Sequence, residues 1–314
     1  MSEKMESTRT GFGHAIIQIA EERKDILVTS ADTYRSFALG DFVNKFPDRY
    51  FEFGIAEQCM ITAAAGMASE GYTVFCVGYS PFLSMRAVEQ IRTFCAYTNQ
   101  NVKIVAGLGG LSGDTDGVTH QGTEDLGIIR TMPNMTLICP ADSVAARALT
   151  RQIADIKTPV YLRLGRGATP IIYDENQKFE LGKALTARDY GTDAAILATG
   201  YCVGEAMKAA DFLKDQGIAI RVLDFSTLKP FDADAALKAC RECKNIITVE
   251  DGSIYGGLGG AVAETFADNC VAPKHFRRMG LTTFGTTGTL PQLVKYFGID
   301  HTALEKAVKD QIGE

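Results

Sequence analysis

Glu57 is the residue of this sequence whose type and surroundings point most clearly to chemistry. It ends the stretch Y-F-E-F-G-I-A-E (50–57) and is followed by Q-C-M-I-T-A-A-A-G-M-A, in which small and apolar residues predominate. A carboxylate buried there is costly unless it is paired, neutralised or hydrogen-bonded. Burial favours the protonated form, which can donate a hydrogen bond to a ring nitrogen. The alternative is a glutamate that bonds a backbone N–H at a helix start, and the residues alone leave both interpretations open.

A second group of polar residues lies in the glycine-rich segment G-L-G-G-L-S-G-D-T-D-G-V-T-H-Q-G (107–122), which follows a predicted strand. Ligands of open α/β sheets bind beyond the carboxyl ends of strands, so this segment is a candidate substrate loop. It fits neither G-x-G-x-x-G nor G-x-x-x-x-G-K-[ST], the two common nucleotide-binding patterns. An ordinary solvated loop is the alternative. The polar candidates are Asp114, Asp116, Thr119, His120 and Gln121.

The elements that must position these residues follow an α/β pattern. Short β-branched runs such as D-I-L-V-T-S, Y-T-V-F-C-V and V-K-I-V-A-G-L alternate with helical patterns, which predicts βαβ units and a mostly parallel sheet. The alternation stops in a Gly-, Pro- and Asn-containing stretch after Gly165 and then starts again. We therefore predict two α/β domains, each a mostly parallel sheet flanked by helices, at residues 1–175 and 191–314 with a linker at 176–190.

Composition excludes several classes of protein. The formal net charge of -6 gives no support for nucleic-acid binding. No run reaches the roughly 20 apolar residues of a membrane span, and the first ten residues lack the apolar core of a signal peptide. Eight cysteines lie mostly alone in apolar segments, which is typical of buried thiols in a reducing compartment. We expect a cytoplasmic protein.

Cys240 and Cys243 are the cysteines closest to metal-ligand spacing. No second pair lies nearby, so C-R-E-C is more simply explained as two helical residues one turn apart. We expect no metal site formed by this chain alone.

Several motifs, taken together and in order, resemble the thiamine diphosphate enzymes of the transketolase superfamily. The similarity is to the carboxyl-terminal half of transketolase and of 1-deoxyxylulose-5-phosphate synthase, and it spans nearly the whole chain. The motif D-G-V-T-H-Q is typical of this branch, whereas G-I-A-E-Q also occurs in β subunits of 2-oxo acid dehydrogenases. The matching segments are F-P-D-R-Y-F-E-F-G-I-A-E-Q (46–58), Y-S-P-F-L (79–83), D-G-V-T-H-Q-G (116–122), Y-L-R-L-G-R-G (161–167), V-L-D-F-S-T-L-K-P-F-D (222–232) and V-E-D-G-S-I-Y-G-G-L-G (249–259).

The resemblance implies cofactor contacts for four residues. Glu57 matches the family glutamate at N1′ of the aminopyrimidine, which sets up proton removal from the thiazolium ring. Phe82 matches an aromatic residue that packs on the pyrimidine face, with core packing as its alternative. Met85 stands where transketolases place a further aromatic residue. Asp32 matches an acidic residue near the cofactor.

The resemblance also implies a site for a phosphorylated, or otherwise anionic, sugar. Asp116 matches a carboxylate that binds a substrate hydroxyl, and His120 matches a catalytic histidine at the donor oxygen or the acceptor phosphate. Arg166 matches an arginine of the phosphate site, where a planar fork suits a phosphate. Further substrate candidates are Arg9, Ser36 and Arg163, and Arg163 has a structural ion pair as its alternative.

One part of the family pattern is missing. Full-length members carry an amino-terminal G-D-G motif and a downstream Asn that bind the metal and the cofactor diphosphate, and no G-D-G occurs here. The resemblance therefore implies a split transketolase, in which a separate diphosphate-binding subunit supplies most of the Mg²⁺ ligands and two copies of each chain form a heterotetramer. The domain beyond about residue 185 would serve mainly in dimerisation.

Three functions follow from these observations. The first is a transferase subunit that moves a two-carbon ketol unit between sugar phosphates. The second is a transketolase for a sulfonated or deoxy sugar, or a subunit similar to the synthase. The third is a noncatalytic regulatory module, which the presence of Glu57, Phe82 and His120 disfavours.

Overall fold

Two mostly parallel sheets organise the computed structural model, which describes residues 4–313. The first has seven strands in the order β12-β6-β7-β5-β4-β2-β3, all parallel except β12. A short antiparallel pair, β1 and β8, lies outside both sheets. The strands of the first half are β1 (Met5–Glu6), β2 (Ile26–Ser30), β3 (Tyr50–Glu52), β4 (Thr73–Tyr79), β5 (Val102–Gly107), β6 (Thr136–Ile138), β7 (Val160–Arg163) and β8 (Thr169–Pro170).

Helices connect these strands in the manner of βαβ units. They are α1 (Thr8–Glu22), α2 (Gly40–Lys45), α3 (Glu57–Ser69), α4 (Val88–Gln90), α5 (Asp125–Arg130) and α6 (Ser143–Asp155). Two π-helical stretches, Phe82–Arg86 and Ile91–Ala96, flank α4, and 3₁₀ turns cover Tyr34–Phe37, Pro47–Arg49, Gly110–Asp116 and Val118–His120.

The second sheet has five strands in the order β14-β13-β10-β11-β9, with β9 antiparallel. The strands of this half are β9 (Leu185–Asp189), β10 (Ala194–Ala198), β11 (Ile220–Asp224), β12 (Thr227–Lys229), β13 (Asn245–Ser253) and β14 (His275–Leu281). The helices are α7 (Cys202–Lys214), α8 (Ala233–Glu242), α9 (Leu258–Asp268), α10 (Leu290–Tyr296) and α11 (His301–Gly313).

Burial explains why the apolar runs form central strands. Every residue of β2, β5, β7 and β10 is buried, as expected for parallel strands covered by helices on both faces. Helices α1 and α6 begin at a side-chain cap: Ser7 accepts from the Thr10 N–H and Asp142 from the Ala145 N–H. The α/β prediction with two domains is confirmed.

The two halves are joined more closely than a linker would require. Strand β12, from the second half, pairs antiparallel with β6 and so extends the first sheet. One core cluster contains buried residues of both halves, including Leu137 and Tyr161 from the first and Leu197 and Phe225 from the second. The predicted linker, 176–190, contains β9, whose residues pair with β11. The second sheet therefore begins inside the predicted linker.

Within residues 4–313, no helix is both long and apolar enough to cross a membrane.

Candidate active site

The candidate residues follow four adjacent strands of the first sheet. In the order β7-β5-β4-β2, Arg166 follows β7, the loop 107–122 follows β5, Phe82 follows β4, and Asp32 and Ser36 follow β2. Because these four strands are parallel, the segments after them emerge at one edge of the sheet. Chain topology thus gathers residues that are far apart in sequence, as in other open α/β sheets.

Glu57 is the first residue of α3 and its side chain is 2% exposed. Arg86 donates from Nη1 to Glu57 Oε2 at 2.8 Å. Glu57 is buried as expected, and its cationic partner is a feature that its sequence neighbours did not indicate. Glu57 therefore lies in the structure as one half of an ion pair.

Arg86 also connects Glu57 to Phe82. Its guanidinium carbon lies 4.4 Å from the centroid of the Phe82 ring, a distance typical of a cation–π contact. Both residues belong to the π-helical turn Phe82–Arg86, and such turns are frequent at functional sites. Met85, in the same turn, is exposed. The planar guanidinium of Arg86 thus contacts both the Phe82 ring and the Glu57 carboxylate.

Phe82 belongs to a cluster of aromatic rings. The rings of Phe82 and His120 meet edge to face at 5.2 Å between centroids, and Tyr79 lies 6.2 Å from Phe82 and 6.1 Å from His120. The Tyr79 hydroxyl is 3.0 Å from Ser36 Oγ. His120 Nδ1 is 3.0 Å from Thr119 Oγ1. The structure thus brings His120, Phe82 and Ser36 together around Tyr79.

Two arginines form the cationic part of the site. Arg9 donates from Nη2 to the Arg166 carbonyl at 2.8 Å, and Arg166 donates from Nη1 to Asp116 at 2.5 Å. Burial, and to a smaller degree Arg166, lowers the pKa of Arg9 to about 10, so Arg9 stays charged at neutral pH. The hydrogen bond from Arg166 lowers the pKa of Asp116. The predicted residues Arg9, Asp116 and Arg166 are thus in contact, and two fixed cations suit an anionic ligand.

Arg163 lies elsewhere, in a buried network, with 3% of its side chain exposed. Its Nε donates to Asp125 at 3.1 Å, its Nη1 to Asp251 at 2.6 Å and its Nη2 to the Gly122 carbonyl at 3.3 Å. Asp251 belongs to the second sheet. Since these partners occupy all three guanidinium nitrogens, the geometry favours the ion-pair alternative over contact with a substrate.

Asp32 is exposed and its backbone has a positive φ of 56°. Its N–H donates to Glu52 Oε1 at 2.8 Å, and the Gly54 N–H donates to the same oxygen. Glu52 thus ties the segment after β2 to the segment before Glu57. Among the described residues, no hydrogen bond or ring contact joins the Asp32 carboxylate to Glu57 or Phe82.

Residues 4–313 contain no cluster of His, Cys, Asp and Glu that could hold a metal ion. Cys240 and Cys243 are free and buried, in the last turn and at the cap of α8. They form part of the shared core.

Sequence reasoning missed Arg86 and Tyr79 as members of the site. Tyr79 is the first residue of the motif Y-S-P-F-L that identified Phe82, and Arg86 follows the motif by three residues. Tyr79 ends β4, and a polar aromatic residue at the carboxyl end of a central strand was an available signal. Arg86 gave no such signal, because its contact with Glu57 spans 29 residues.

Comparisons with known proteins identify the family of this chain. Residues 4–171 match the family model of the transketolase pyrimidine binding domain, and residues 182–304 match that of the transketolase C-terminal domain. A putative transketolase C-terminal section from Methanocaldococcus jannaschii is 40% identical over 97% of this chain and 96% of its own length. An apulose-4-phosphate transketolase subunit from Phocaeicola vulgatus is 38% identical over 98% of this chain and 97% of its own length.

A solved structure described as a split gene transketolase, an inactive beta4 tetramer, superimposes with a TM-score of 0.87. It is 34% identical, and the match covers 98% of both chains. The family models, the relatives and the fold agree over nearly the whole length of the protein. The chain belongs to the transketolase family, in the form of a subunit that corresponds to the family's carboxyl-terminal half.

Proposed function

We propose that this chain is the catalytic carboxyl-terminal subunit of a two-chain transketolase, which moves a two-carbon ketol unit from a ketose phosphate to an aldose phosphate. The observation that carries the proposal is the arrangement of Glu57 and Phe82. The planar Arg86 guanidinium contacts both the buried carboxylate and the aromatic ring, and the contact between Arg9 and Arg166 lies at the same edge of the sheet. The proposed cofactor is thiamine diphosphate.

The residues of this chain fit the pyrimidine end of that cofactor. The planar Arg86 guanidinium lies over the Phe82 ring and donates an N–H to Glu57. An aminopyrimidine in place of Arg86 would stack on the same ring and accept a hydrogen bond at N1′ from the protonated Glu57 carboxyl group. The diphosphate end needs a metal held by hard oxygen ligands, and residues 4–313 offer no cluster for it. We assign the diphosphate and Mg²⁺ to a partner chain.

Each residue then has a role that its position supports. Thiamine diphosphate, when bound, supplies the carbon nucleophile and accepts the electron pair released by C–C cleavage. Glu57 would hold a proton at the pyrimidine N1′, and burial keeps water from competing for that contact. Phe82 would orient the ring. His120, beside Phe82, is placed to exchange a proton with a sugar oxygen.

Substrate binding would fall to the cationic group. Arg9 and Arg166 would hold the phosphate of the sugar, and Asp116 would accept a hydrogen bond from a sugar hydroxyl once Arg166 turns to the phosphate. Ser36, joined to Tyr79, would extend the phosphate site. For Asp32 and Met85 we propose contact with the cofactor only within the assembly, since both are exposed here.

Exposed apolar side chains support the need for a partner chain. Ile55, two residues before Glu57, is 74% exposed, and Phe51 and Met85 are exposed on neighbouring segments. Apolar side chains grouped beside a candidate active site are typical of an interface. We propose that the diphosphate-binding subunit covers them in a heterotetramer of two copies of each chain.

Reconstitution tests the proposal. Ketol transfer from xylulose 5-phosphate to ribose 5-phosphate is measured with thiamine diphosphate and Mg²⁺, for this chain alone and mixed with a diphosphate-binding subunit. We expect activity only in the mixture. Glu57→Gln should lower kcat by about 10²- to 10⁴-fold, whereas Glu89→Gln, an exposed glutamate of α4, should not. Equal activity of Glu57→Gln and wild type would refute the catalytic role and revive a noncatalytic module.

A transketolase for a modified sugar is the second candidate. The Phocaeicola vulgatus relative is named for apulose 4-phosphate, so chains of this type are not restricted to one sugar. A donor panel separates the candidates. Transfer from a deoxy or sulfonated ketose but not from xylulose 5-phosphate would favour the specialised enzyme, and decarboxylation of pyruvate would favour a synthase-like subunit.

A further inference from the structure

We propose that the second domain positions the substrate loop, through a contact between Gln121 and the segment 281–288. The sequence-based expectation assigned this domain mainly to dimerisation. The inference rests on the proposed function, because the substrate loop, residues 107–122, carries Asp116 and His120. It makes Gln121 a positioning residue, since it acts on the sugar through its neighbours.

The contact itself is direct and buried. Gln121 is 2% exposed, and its Nε2 donates to the Thr286 carbonyl at 2.8 Å. The same nitrogen lies 3.4 Å from the Asp114 carbonyl, within the substrate loop. One amide group therefore holds the loop to the segment after β14. His120 is the adjacent residue, so a displacement of Gln121 moves His120 with it.

Close packing surrounds this hydrogen bond. A Cβ atom at Gly285 would lie 1.9 Å from Gln121 Oε1, and one at Gly117 would lie 2.9 Å from Thr287 Oγ1. The segment 281–288 thus approaches the loop at two places with no room for further atoms. Such an approach transmits a small shift of the second domain to the loop, because packed interfaces deform little.

The loop depends on its surroundings for its shape. Asp114 has φ 60° and ψ −130°, a combination that is strained for a residue other than glycine. Strain of this kind persists only where neighbouring structure imposes it. The Asp114 carbonyl accepts from both Gln121 and the Gly117 N–H, so the strained residue is held by the side chain that reaches the second domain.

The base of the loop is fixed by the same domain. The Ser253 N–H, at the end of β13, donates to the Thr123 carbonyl at 2.7 Å. Arg163 links the Gly122 carbonyl to Asp251 of β13. Contacts from the second domain thus reach the loop at its base and near its tip. The contact of Gln121 near the tip lies next to His120 and in the same loop as Asp116. The experiment therefore tests this contact.

The test combines hydrogen–deuterium exchange with kinetics of the reconstituted enzyme. Gly285→Ala places a methyl group against the Gln121 amide, and Gln121→Glu keeps the shape but replaces the donor with an acceptor facing the Thr286 carbonyl. Thr283→Ala, exposed on the same segment, is the matched control. Exchange is followed for residues 112–121 of this chain alone, which requires neither partner nor substrate.

We expect both variants, but not the control, to speed exchange in residues 112–121. In the reconstituted enzyme they should lower kcat/KM for the sugar phosphates by about 10- to 100-fold, the size of effect that a 1 Å misplacement can produce. The affinity for thiamine diphosphate should stay within about twofold of wild type, because Glu57 and Phe82 lie on other segments. A loss of cofactor affinity equal to the loss of kcat/KM would overturn the inference.

Unchanged exchange in both variants would also overturn it, as would faster exchange with wild-type kcat/KM. If the wild-type mixture shows no ketol transfer with any donor, the proposed function fails. The exchange measurement still decides in that case whether the second domain holds the loop.

Discussion

Arg86 and Glu57 form an ion pair of 2.8 Å between two segments that follow different strands of the first sheet. The carboxylate is buried, whereas the arginine is about half exposed. The pair therefore satisfies a charge that the fold has removed from water. The same guanidinium covers one face of Phe82. Arg86 thus contacts both residues that are proposed to hold the pyrimidine ring.

Replacing Arg86 by methionine should destabilise the chain. The buried Glu57 carboxylate would lose its partner, which we expect to lower the free energy of unfolding by about 1–3 kcal/mol. The full cost of breaking a buried pair does not apply, because Arg86 is partly in water. Urea unfolding at pH 7 measures the change, with Arg92→Met, exposed in the neighbouring π-helical stretch, as the control.

The double variant Glu57→Gln, Arg86→Met separates pairing from packing. If the ion pair is the cause, the double variant should be more stable than Arg86→Met alone, with a coupling of about 0.5–3 kcal/mol between the two sites. Additive effects would show that Arg86 acts through its contact with Phe82 instead.

Arg166 should matter for phosphorylated sugars in particular. Arg166→Gln removes a charged donor, so we expect KM for a phosphorylated aldose to rise about 10- to 100-fold, while kcat/KM for an unphosphorylated aldose changes by less than about threefold. Steady-state kinetics of the reconstituted enzyme with matched aldoses checks this. Arg151→Gln, whose arginine pairs with Glu22 on the surface, should leave both values unchanged. An equal fall in kcat/KM for both aldoses would contradict a role of Arg166 in binding the phosphate.

We expect Arg163 to stabilise the fold rather than to bind the substrate. Arg163→Met would leave Asp125 and Asp251 buried without their cation, and breaking a buried pair in this way costs about 3–5 kcal/mol. Chemical unfolding gives the value. In the Arg163→Met background, Asp125→Asn together with Asp251→Asn should recover part of the lost free energy of unfolding. An Arg163→Met chain of wild-type stability with a raised KM for sugar phosphate would support the substrate role instead.

Asp224 should make stability depend on pH. It is buried, accepts from the Tyr173 hydroxyl at 2.8 Å and from Ser226 Oγ at 2.9 Å, and burial raises its pKa from 3.8 to about 7. The folded chain then keeps a proton that the unfolded chain releases above about pH 4. The stabilisation from this group is complete below about pH 4 and is lost as the pH rises through 7.

Asp224→Asn should remove that contribution. The difference in free energy of unfolding between wild type and variant is expected to fall by up to about 4 kcal/mol from pH 4 to pH 8, since each pKa unit corresponds to about 1.4 kcal/mol. Denaturant titrations at four pH values provide the measurement. A difference that does not vary with pH would mean that Asp224 has the same pKa in both states.

The alternating apolar runs were sufficient to predict two α/β domains. Parallel strands that are covered on both faces are apolar along their whole length, whereas the helices that cover them are apolar on one face only. The position of Glu57 in an apolar run likewise predicted its burial. The predicted residues Arg9, Asp116 and Arg166 meet in one group, and so do Ser36, Phe82 and His120. Periodicity predicted the elements because it acts over one or two turns of chain, whereas these site residues came from the resemblance to the transketolase superfamily.

Contacts between distant segments were not available from the sequence. Arg86 meets Glu57 across 29 residues, Arg163 meets Asp251 across 88, and Gln121 meets Thr286 across 165. In each case the residue type is compatible with several partners, and only the packing of the strands and of the two sheets selects one. The sequence by itself determined which elements form and which side chains need burial. The tertiary structure decided which charge neutralises which, and that the second domain reaches the substrate loop, because these choices depend on distances that chain topology sets.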